Sequence, residues 1–387
     1  MPRKYYIIKG SKAFFDKTLE SFTGLEGAES FINLVLKSDA CRNAGKLFTE
    51  RAKIVICRND NYHAIVEQAH DRLGPIVEEL SSDDAVVFIH NPPDNLQQYI
   101  DTLVQQEKAA KEERSEDHNI VFQKDEFRKH LSEVSKLIVG QDNAVEELGK
   151  SILYSSLSNR KRPYVIMLYG NSSIGKTELV KTISEVFYGG KFLETHMSMF
   201  QNLSYADYIF GDKPNRKTFA YELYERESNV VFLDEIDKCL PLFYSAFYSL
   251  FDMGIYKDST YVVDTSGLLI VMTSNYEDTN QMKKELGLPV FYRIEKFVKL
   301  NNFSTDTIMR LAERELGEQT AALSDHISID NVRIPAFSTI GQTGENARTI
   351  KNKVLAAIEN ELFNKYERPE MAPDDDKPNS IEQIDVS

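Results

Sequence analysis

Gly170-Asn171-Ser172-Ser173-Ile174-Gly175-Lys176-Thr177 decides how this chain is read. It matches the pattern G-x-x-x-x-G-K-[ST], and it stands between a strand and a helix as that pattern requires. The run before it, Tyr164–Tyr169, is short and apolar, as a buried parallel strand is. The run after it, Glu178–Phe187, carries apolar residues at helical spacing. A glycine-rich turn opening onto a helix N-terminus gathers backbone N–H groups into a concave anion site suited to phosphates. Lys176 supplies a cation for the β- and γ-phosphates, and the Thr177 hydroxyl a ligand for Mg²⁺. Gly170 to Thr177, with Glu178 behind them, form the candidate nucleotide-binding set.

A phosphate loop alone only binds; hydrolysis also needs a carboxylate on the metal side and a group that activates water. Asn229–Lys238 supplies both, since the apolar run Val230–Leu233 ends in Asp234 and Glu235. In an open α/β sheet, ligands gather outside the carboxyl ends of the strands. Asp234 is expected to hold Mg²⁺ through water, and Glu235 to polarise the attacking water. A third strand, Leu268–Asn275, ends in the amide of Asn275, which is suited to fixing the water or the γ-phosphate.

The 387 residues suffice for two or three domains with proper cores. A formal charge of −14 argues against a general nucleic-acid binder, whose affinity is built from Lys and Arg. The small basic patch Asn159–Arg162 reads as a solvated loop. Cys41, Cys57 and Cys239 are odd in number and widely spaced, so neither a disulfide framework nor a zinc pattern follows. They suit a reducing cytoplasm. The apolar run at the N-terminus is too short for a signal peptide, and no segment is long and apolar enough to span a membrane. The expected location is cytoplasmic.

Composition divides the chain. Residues 1–100 read as a small α/β domain with strands at Tyr5–Lys9, Lys53–Arg58 and Ala85–His90 and an amphipathic stretch over Ala64–Leu80. His90-Asn91-Pro92-Pro93-Asp94 reads as a turn. Residues 101–120 end in a charged run without an apolar stripe, a solvated helix or linker. Residues 121–300 alternate strands and helices, as a parallel sheet covered on both faces does. Residues 301–366 read as helical, with Ser304 as an N-cap and Ile350, Val354, Leu355, Ile358 and Leu362 at helical spacing. Residues 367–387 are acidic and Pro-rich, with little to bury, and are expected to be disordered.

The order of Gly170–Thr177, Leu233–Asp237, Thr273–Asn275 and Phe291-Tyr-Arg-Ile-Glu295 resembles the AAA+ ATPases, and within them the Clp-type protein-remodelling group. Ile138-Val139-Gly140-Gln141-Asp142-Asn143-Ala144 is similar to the family's segment before the phosphate loop, which implies that Ile138 and Val139 hold adenine. The resemblance spans about residues 120–366. It implies an α/β fold: a parallel-sheet AAA+ nucleotide-binding core with a small helical lid, here preceded by the small α/β N-terminal domain. It implies ATP and Mg²⁺ as cofactors and ATP hydrolysis as the activity. Arg293 resembles the arginine finger that completes a neighbouring subunit's site, which implies a homo-oligomeric ring, hexameric in this family. Arg348 in Gly344–Ile350 resembles the second sensor at the start of a lid helix, although two residues are inserted relative to the family's Gly-Ala-Arg.

One departure bears on function. Clp-type motors grip a polypeptide with a Gly-Tyr-Val-Gly loop, whereas here Tyr208–Gly211 is followed only by the charged Asp212–Lys217. Tyr205, Tyr208, Tyr256 and Tyr261 are the remaining aromatic candidates for a grip. Two readings stand. One is an ATP-driven remodeller that acts on a protein substrate or complex. The other is an ATP-dependent assembly switch that recruits and regulates a separate effector protein. Residues 1–100 are expected to select partners. A DNA-linked ATPase is disfavoured by the charge.

Overall fold

Residues 3–115 build a parallel sheet from β1 (Arg3–Lys9), β2 (Glu29–Ser30), β3 (Ala52–Cys57), β4 (Ser81–His90) and β5 (Ala109–Ser115), in the order β2-β3-β4-β1-β5. Ile7, Val55, Val87 and Ile89 fill its core with Leu96 and Ile100 of the helix Asp94–Gln105. The three strands expected from the sequence are present, the first and third begun earlier and the second shifted by one residue. The amphipathic stretch Ala64–Leu80 is broken into a turn and two short helices, Glu67–His70 and Leu73–Leu80.

The structure corrects the linker expected over residues 101–120. Ala109–Ser115 is an edge strand paired along its whole length with β1. Its charges are partnered: across the sheet Lys4 meets Glu112 at 3.4 Å and Lys9 meets Glu113 at 3.5 Å, and Lys111 meets Asp101 of the helix Asp94–Gln105 at 2.6 Å. A charged face is a normal property of an edge strand, where it discourages pairing with another chain.

The second sheet runs β6 (Tyr164–Tyr169), β7 (Leu193–His196), β8 (Val230–Asp234), β11 (Leu269–Ser274) and β12 (Lys296–Lys299), with the hairpin β9 (Ile255–Lys257) and β10 (Val262–Asp264) between β8 and β11 in the chain. The strand order is β12-β6-β11-β8-β7, all parallel. Val231, Leu233, Ile270 and Met272 are fully buried in a core shared with the hairpin tyrosines. The computed structural model describes residues 2–211, 213–326, 332 and 345–367.

Both sheets belong to one compact unit, Met1–Asn302. Where the carboxyl ends of β1, β3 and β4 meet the core, Glu225 accepts hydrogen bonds from Asn59 Nδ2 at 2.7 Å and Asn91 Nδ2 at 3.2 Å. Asn91 also brackets Gly10, accepting from its N–H at 2.9 Å and donating to its carbonyl at 2.8 Å. The segment read as a plain turn is therefore a buried polar joint, with Asn91 in the left-handed region at φ 43°. The loop joining β9 and β10 is tied to the same edge: Asp94 N–H donates to Thr260 O at 2.8 Å and the Tyr261 hydroxyl to Asn59 Oδ1 at 3.2 Å.

The second unit begins at Phe303. Its helix Thr305–Ala321 is capped by Ser304, whose hydroxyl accepts from Thr307 N. Its helix Ala347–Glu367 starts at Asn346, which exchanges side-chain and backbone hydrogen bonds with Thr349. Ile308, Ala312, Ile350, Val354 and Ile358 form the core between them, while Leu355 is exposed. The acidic tail from residue 368 and Gly344 lie outside the described residues.

Candidate nucleotide site

The phosphate loop is set by backbone that most residues avoid. Gly170, Ser173 and Gly175 have φ of 136°, 59° and 97°, and the helix Lys176–Tyr188 begins at once. Such a succession turns consecutive N–H groups inward. Gly170 has no room for a side chain, since a Cβ would stand 2.6 Å from Leu300 O and 2.9 Å from Ile174 Cδ1. Gln141 is buried and braces the loop: its Nε2 donates to Ile174 O at 3.1 Å and Asn301 O at 2.8 Å, while its Oε1 accepts from Asn301 N at 3.2 Å. Asn171 reaches Asn302 Oδ1 at 2.8 Å. Ser172 is exposed and Ser173 and Ile174 progressively less so; Glu178 is exposed, Ile138 is buried and Val139 is half-buried.

Lys176 is buried within this loop. Its Nζ donates to Gly170 O at 2.7 Å, Asn171 O at 2.6 Å and Asn275 Oδ1 at 3.0 Å. Burial lowers its pKa to about 8, against the opposing pull of Asp237, Asp234 and Glu235. An ammonium stripped of water and held on neutral oxygens is prepared for an anion.

Parallel pairing brings the acidic strand beside it. Thr177 Oγ1 lies 3.3 Å from Asp234 Oδ1 and 3.4 Å from Oδ2. A hydroxyl and a carboxylate are hard oxygen donors of the kind Mg²⁺ takes. Thr273 on the neighbouring β11 donates its hydroxyl proton to Asp234 Oδ1 and accepts from Glu235 N at 2.9 Å. Glu235 sits at φ 57°, ψ 49°, a left-handed turn that ends β8. Asn275 is fixed on both sides: its Oδ1 faces Lys176, while its N–H and Nδ2 donate to Asp237 at 3.2 and 3.4 Å.

Lys176, Thr177, Asp234 and Asn275 therefore converge by direct contact, with Glu235 at the same strand end. Arg293 is engaged elsewhere. Its guanidinium pairs with Asp252 at 2.6 Å, donates to Pro289 O at 2.5 Å and lies over the Tyr248 ring at 4.8 Å. Arg348 is exposed in the first turn of its helix in the second unit. Glu295, beside the arginine, staples the start of β6: it accepts from Val165 N at 2.8 Å and from Arg160 at 2.6 Å, which gives the basic patch a structural anchor.

The family model described as AAA domain (Cdc48 subfamily) matches residues 161–317. The AAA+ ATPase ClpV1 of Pseudomonas aeruginosa is 34% identical over 154 residues, covering 37% of this chain and 17% of that protein. The chaperone protein ClpB of Malacoplasma penetrans is 24% identical over 285 residues, 66% of this chain and 40% of its own. The chloroplastic chaperone protein ClpD1 of Oryza sativa subsp. japonica is 29% identical over 163 residues, with shares of 39% and 17%. The chain carries an AAA+ ATPase domain of the Clp type. It spans well under two thirds of the length of these relatives. Among the described residues no helix is long and apolar enough to cross a membrane.

Around the AAA+ site, sequence reading left Gln141, Thr273 and Asp237 without roles, although all three stood inside quoted motifs. It also proposed four tyrosines as a grip. Tyr256 and Tyr261 are fully buried. Tyr208 packs on Phe200 with ring centroids 5.6 Å apart and bonds Glu222 at 2.5 Å; Tyr205 also packs on Phe200, at 5.1 Å. The reason is an aromatic core that recruits them: Phe200 packs on Tyr205 and Tyr208, Phe219 on Tyr208 and Tyr256, and Tyr221 and Tyr224 on Tyr261.

Proposed function

We propose that this chain binds ATP with Mg²⁺, hydrolyses it, and acts as a subunit of a homo-oligomeric ring, hexameric by analogy with its family, that remodels a protein substrate or complex. The observation that carries the reading is the meeting of Lys176 and Asn275 with Thr177 and Asp234 at the carboxyl ends of parallel strands. Gly170–Thr177 would cradle the phosphates, and Ile138 and Val139 would line the base. Thr177 and Asp234 would hold Mg²⁺, which neutralises phosphate charge when bound. Glu235 polarises water and Asn275 fixes it. Arg293 serves the neighbouring subunit once released from Asp252, and Arg348 is the second-sensor candidate on its resemblance to the family motif. The relatives' names, chaperone and AAA+ ATPase, support protein remodelling as the class of work.

The test is Glu235→Gln, which should keep ATP affinity and lose hydrolysis by about 10²-fold or more. Unchanged turnover refutes the assignment.

A second reading, an ATP-dependent assembly switch that regulates an effector without threading it, is favoured by the burial of Tyr256 and Tyr261 and the packing of Tyr205 and Tyr208. Threading needs an apolar side chain free to grip. Residues 213–217 offer Lys, Pro, Asn, Arg and Lys, with Lys213 and Arg216 drawn to Asp207 at 3.8 and 3.4 Å. ATP-dependent unfolding of a tagged protein supports the first reading; its absence alongside nucleotide-driven assembly supports the second.

A further inference from the structure

Three side chains of metal-ligating type meet at the end of β7: Glu194 and His196, which have no role above, and Asp234, which does. Parallel register sets His196 next to Asp234. Glu194, two residues earlier on the same strand, points to the same face. A carboxylate oxygen of Glu194, a ring nitrogen of His196 and a carboxylate oxygen of Asp234 all lie within 4.8 Å of one another. His196 Nδ1 is 3.6 Å from Asp234 Oδ2, and its Nε2 is 3.7 Å from Glu194 Oε1. These two contacts use opposite ring nitrogens, of which an ion takes one; tetrahedral Zn²⁺ with bonds of about 2.1 Å places its donors about 3.4 Å apart, so the half-exposed His196 ring and a carboxylate must turn to draw the third donor in from within 4.8 Å.

Two further observations point to a cation. Glu194 Oε1 is buried and accepts no hydrogen bond among the described residues. The charge facing it is Lys181 Nζ at 3.3 Å, on a side chain exposed enough to swing away. The donor set is also chemically selective. Imidazole suits Zn²⁺, Co²⁺ and Ni²⁺, whereas Mg²⁺ prefers oxygen alone.

We propose that Glu194, His196 and Asp234 form a binding site for a borderline divalent metal of the Zn²⁺ class, which shares Asp234 with the Mg²⁺ position. Metal bound there takes a carboxylate from the nucleotide site, so Zn²⁺ inhibits nucleotide turnover in the presence of excess Mg²⁺. The inhibitory consequence rests on the reading of Asp234 given above; the metal site itself does not.

Co²⁺ is the spectroscopic probe, titrated into the full chain without nucleotide. The expected result is one equivalent bound with the visible absorption of a low-coordinate Co²⁺ centre, displaced by Zn²⁺. His196→Ala should weaken that binding by about tenfold or more, and the near-isosteric Glu194→Gln should weaken it too, with folding of each variant followed by circular dichroism. Co²⁺ binding that is absent, or equal in wild type and both variants, overturns the proposal. Binding of Mg²⁺ with an ATP analogue is measured in parallel. Its failure in the wild-type chain would strike the nucleotide reading, while the Co²⁺ titration still decides the metal site.

Discussion

Raising the pH from 7 to 9 should weaken nucleotide binding about tenfold through Lys176 alone. In the ligand-free chain burial holds this ammonium at about 8, with three neutral oxygens as its hydrogen-bond partners. A bound triphosphate replaces that poor environment with negative charge, which favours the ammonium and returns its pKa towards the ordinary value near 10.5. The sign follows. Below pH 8 the lysine is charged with or without nucleotide, and affinity is flat. Above pH 8 only the bound form keeps the proton, so binding takes one up and weakens as pH rises. At pH 9 about nine in ten ligand-free sites are neutral, which gives the tenfold factor and an uptake of about 0.9 proton per nucleotide. The terminal phosphate is already fully ionised in this range and adds no slope. Calorimetry with a non-hydrolysable ATP analogue and Mg²⁺, repeated in buffers of different ionisation enthalpy, reads both quantities. Lys176→Arg, which stays charged, should remove the dependence. Constant affinity from pH 7 to 9, or proton release, would refute the reasoning.

Other perturbations test other parts. Arg293→Ala should bind nucleotide normally and lose about 10³-fold or more in turnover, and mixing it with Glu235→Gln subunits should restore part of the activity; no rescue at any ratio would make Arg293 a structural partner of Asp252. Gly170→Ala places a methyl against Leu300 O at a φ that side chains avoid, so urea unfolding should show a loss of about 2–3 kcal/mol. Glu225→Ala leaves the Asn59 and Asn91 amides without their shared acceptor; the expected cost is about 1–3 kcal/mol, with faster hydrogen exchange in β4 and the β9–β10 hairpin.

What the sequence made legible was local. The Gly170–Thr177 loop is written in consecutive residues because its shape is set by its own backbone angles, at Gly170, Ser173 and Gly175. Asp234, Glu235 and Asn275 could be placed at strand ends because an apolar run stopping at a polar residue marks its own end. What stayed hidden depends on partners distant in the chain. Ala109–Ser115 looks like a linker until Lys4 and Lys9 of β1 stand beside it. Thr273 looks like one polar residue of three until β11 pairs with β8 and sets it against Asp234. Glu194 and His196 become a pair of ligands only through the register of β7 on β8. The exposure of the tyrosines, the property a grip requires, is decided by their aromatic neighbours: Phe200, close by in the chain, for Tyr205 and Tyr208, and the distant Phe219, Tyr221 and Tyr224 for Tyr256 and Tyr261.

The joint at Glu225 bears on how a nucleotide-driven movement would leave the site. The helix Phe219–Tyr224 begins at Thr218, just after the short charged segment, and ends at Glu225, on the N-terminal sheet. The β9–β10 loop, which lies on the same side of the core, is held to that sheet by Asp94 and Asn59. A segment free at its tip can move against a substrate; one tied at its end moves whatever it is tied to. Displacement of this helix therefore carries strain into Asn59, Asn91 and Gly10, at the carboxyl edge of β1, β3 and β4, where a parallel sheet otherwise offers a ligand its crevice. That edge is occupied by the ATPase core itself. If nucleotide state moves this helix, the joint passes that movement to the N-terminal sheet, and a hydrogen-exchange difference between ATP- and ADP-bound chains should appear at residues 86–91. Protection there that ignores the nucleotide would leave the sheet a passive support.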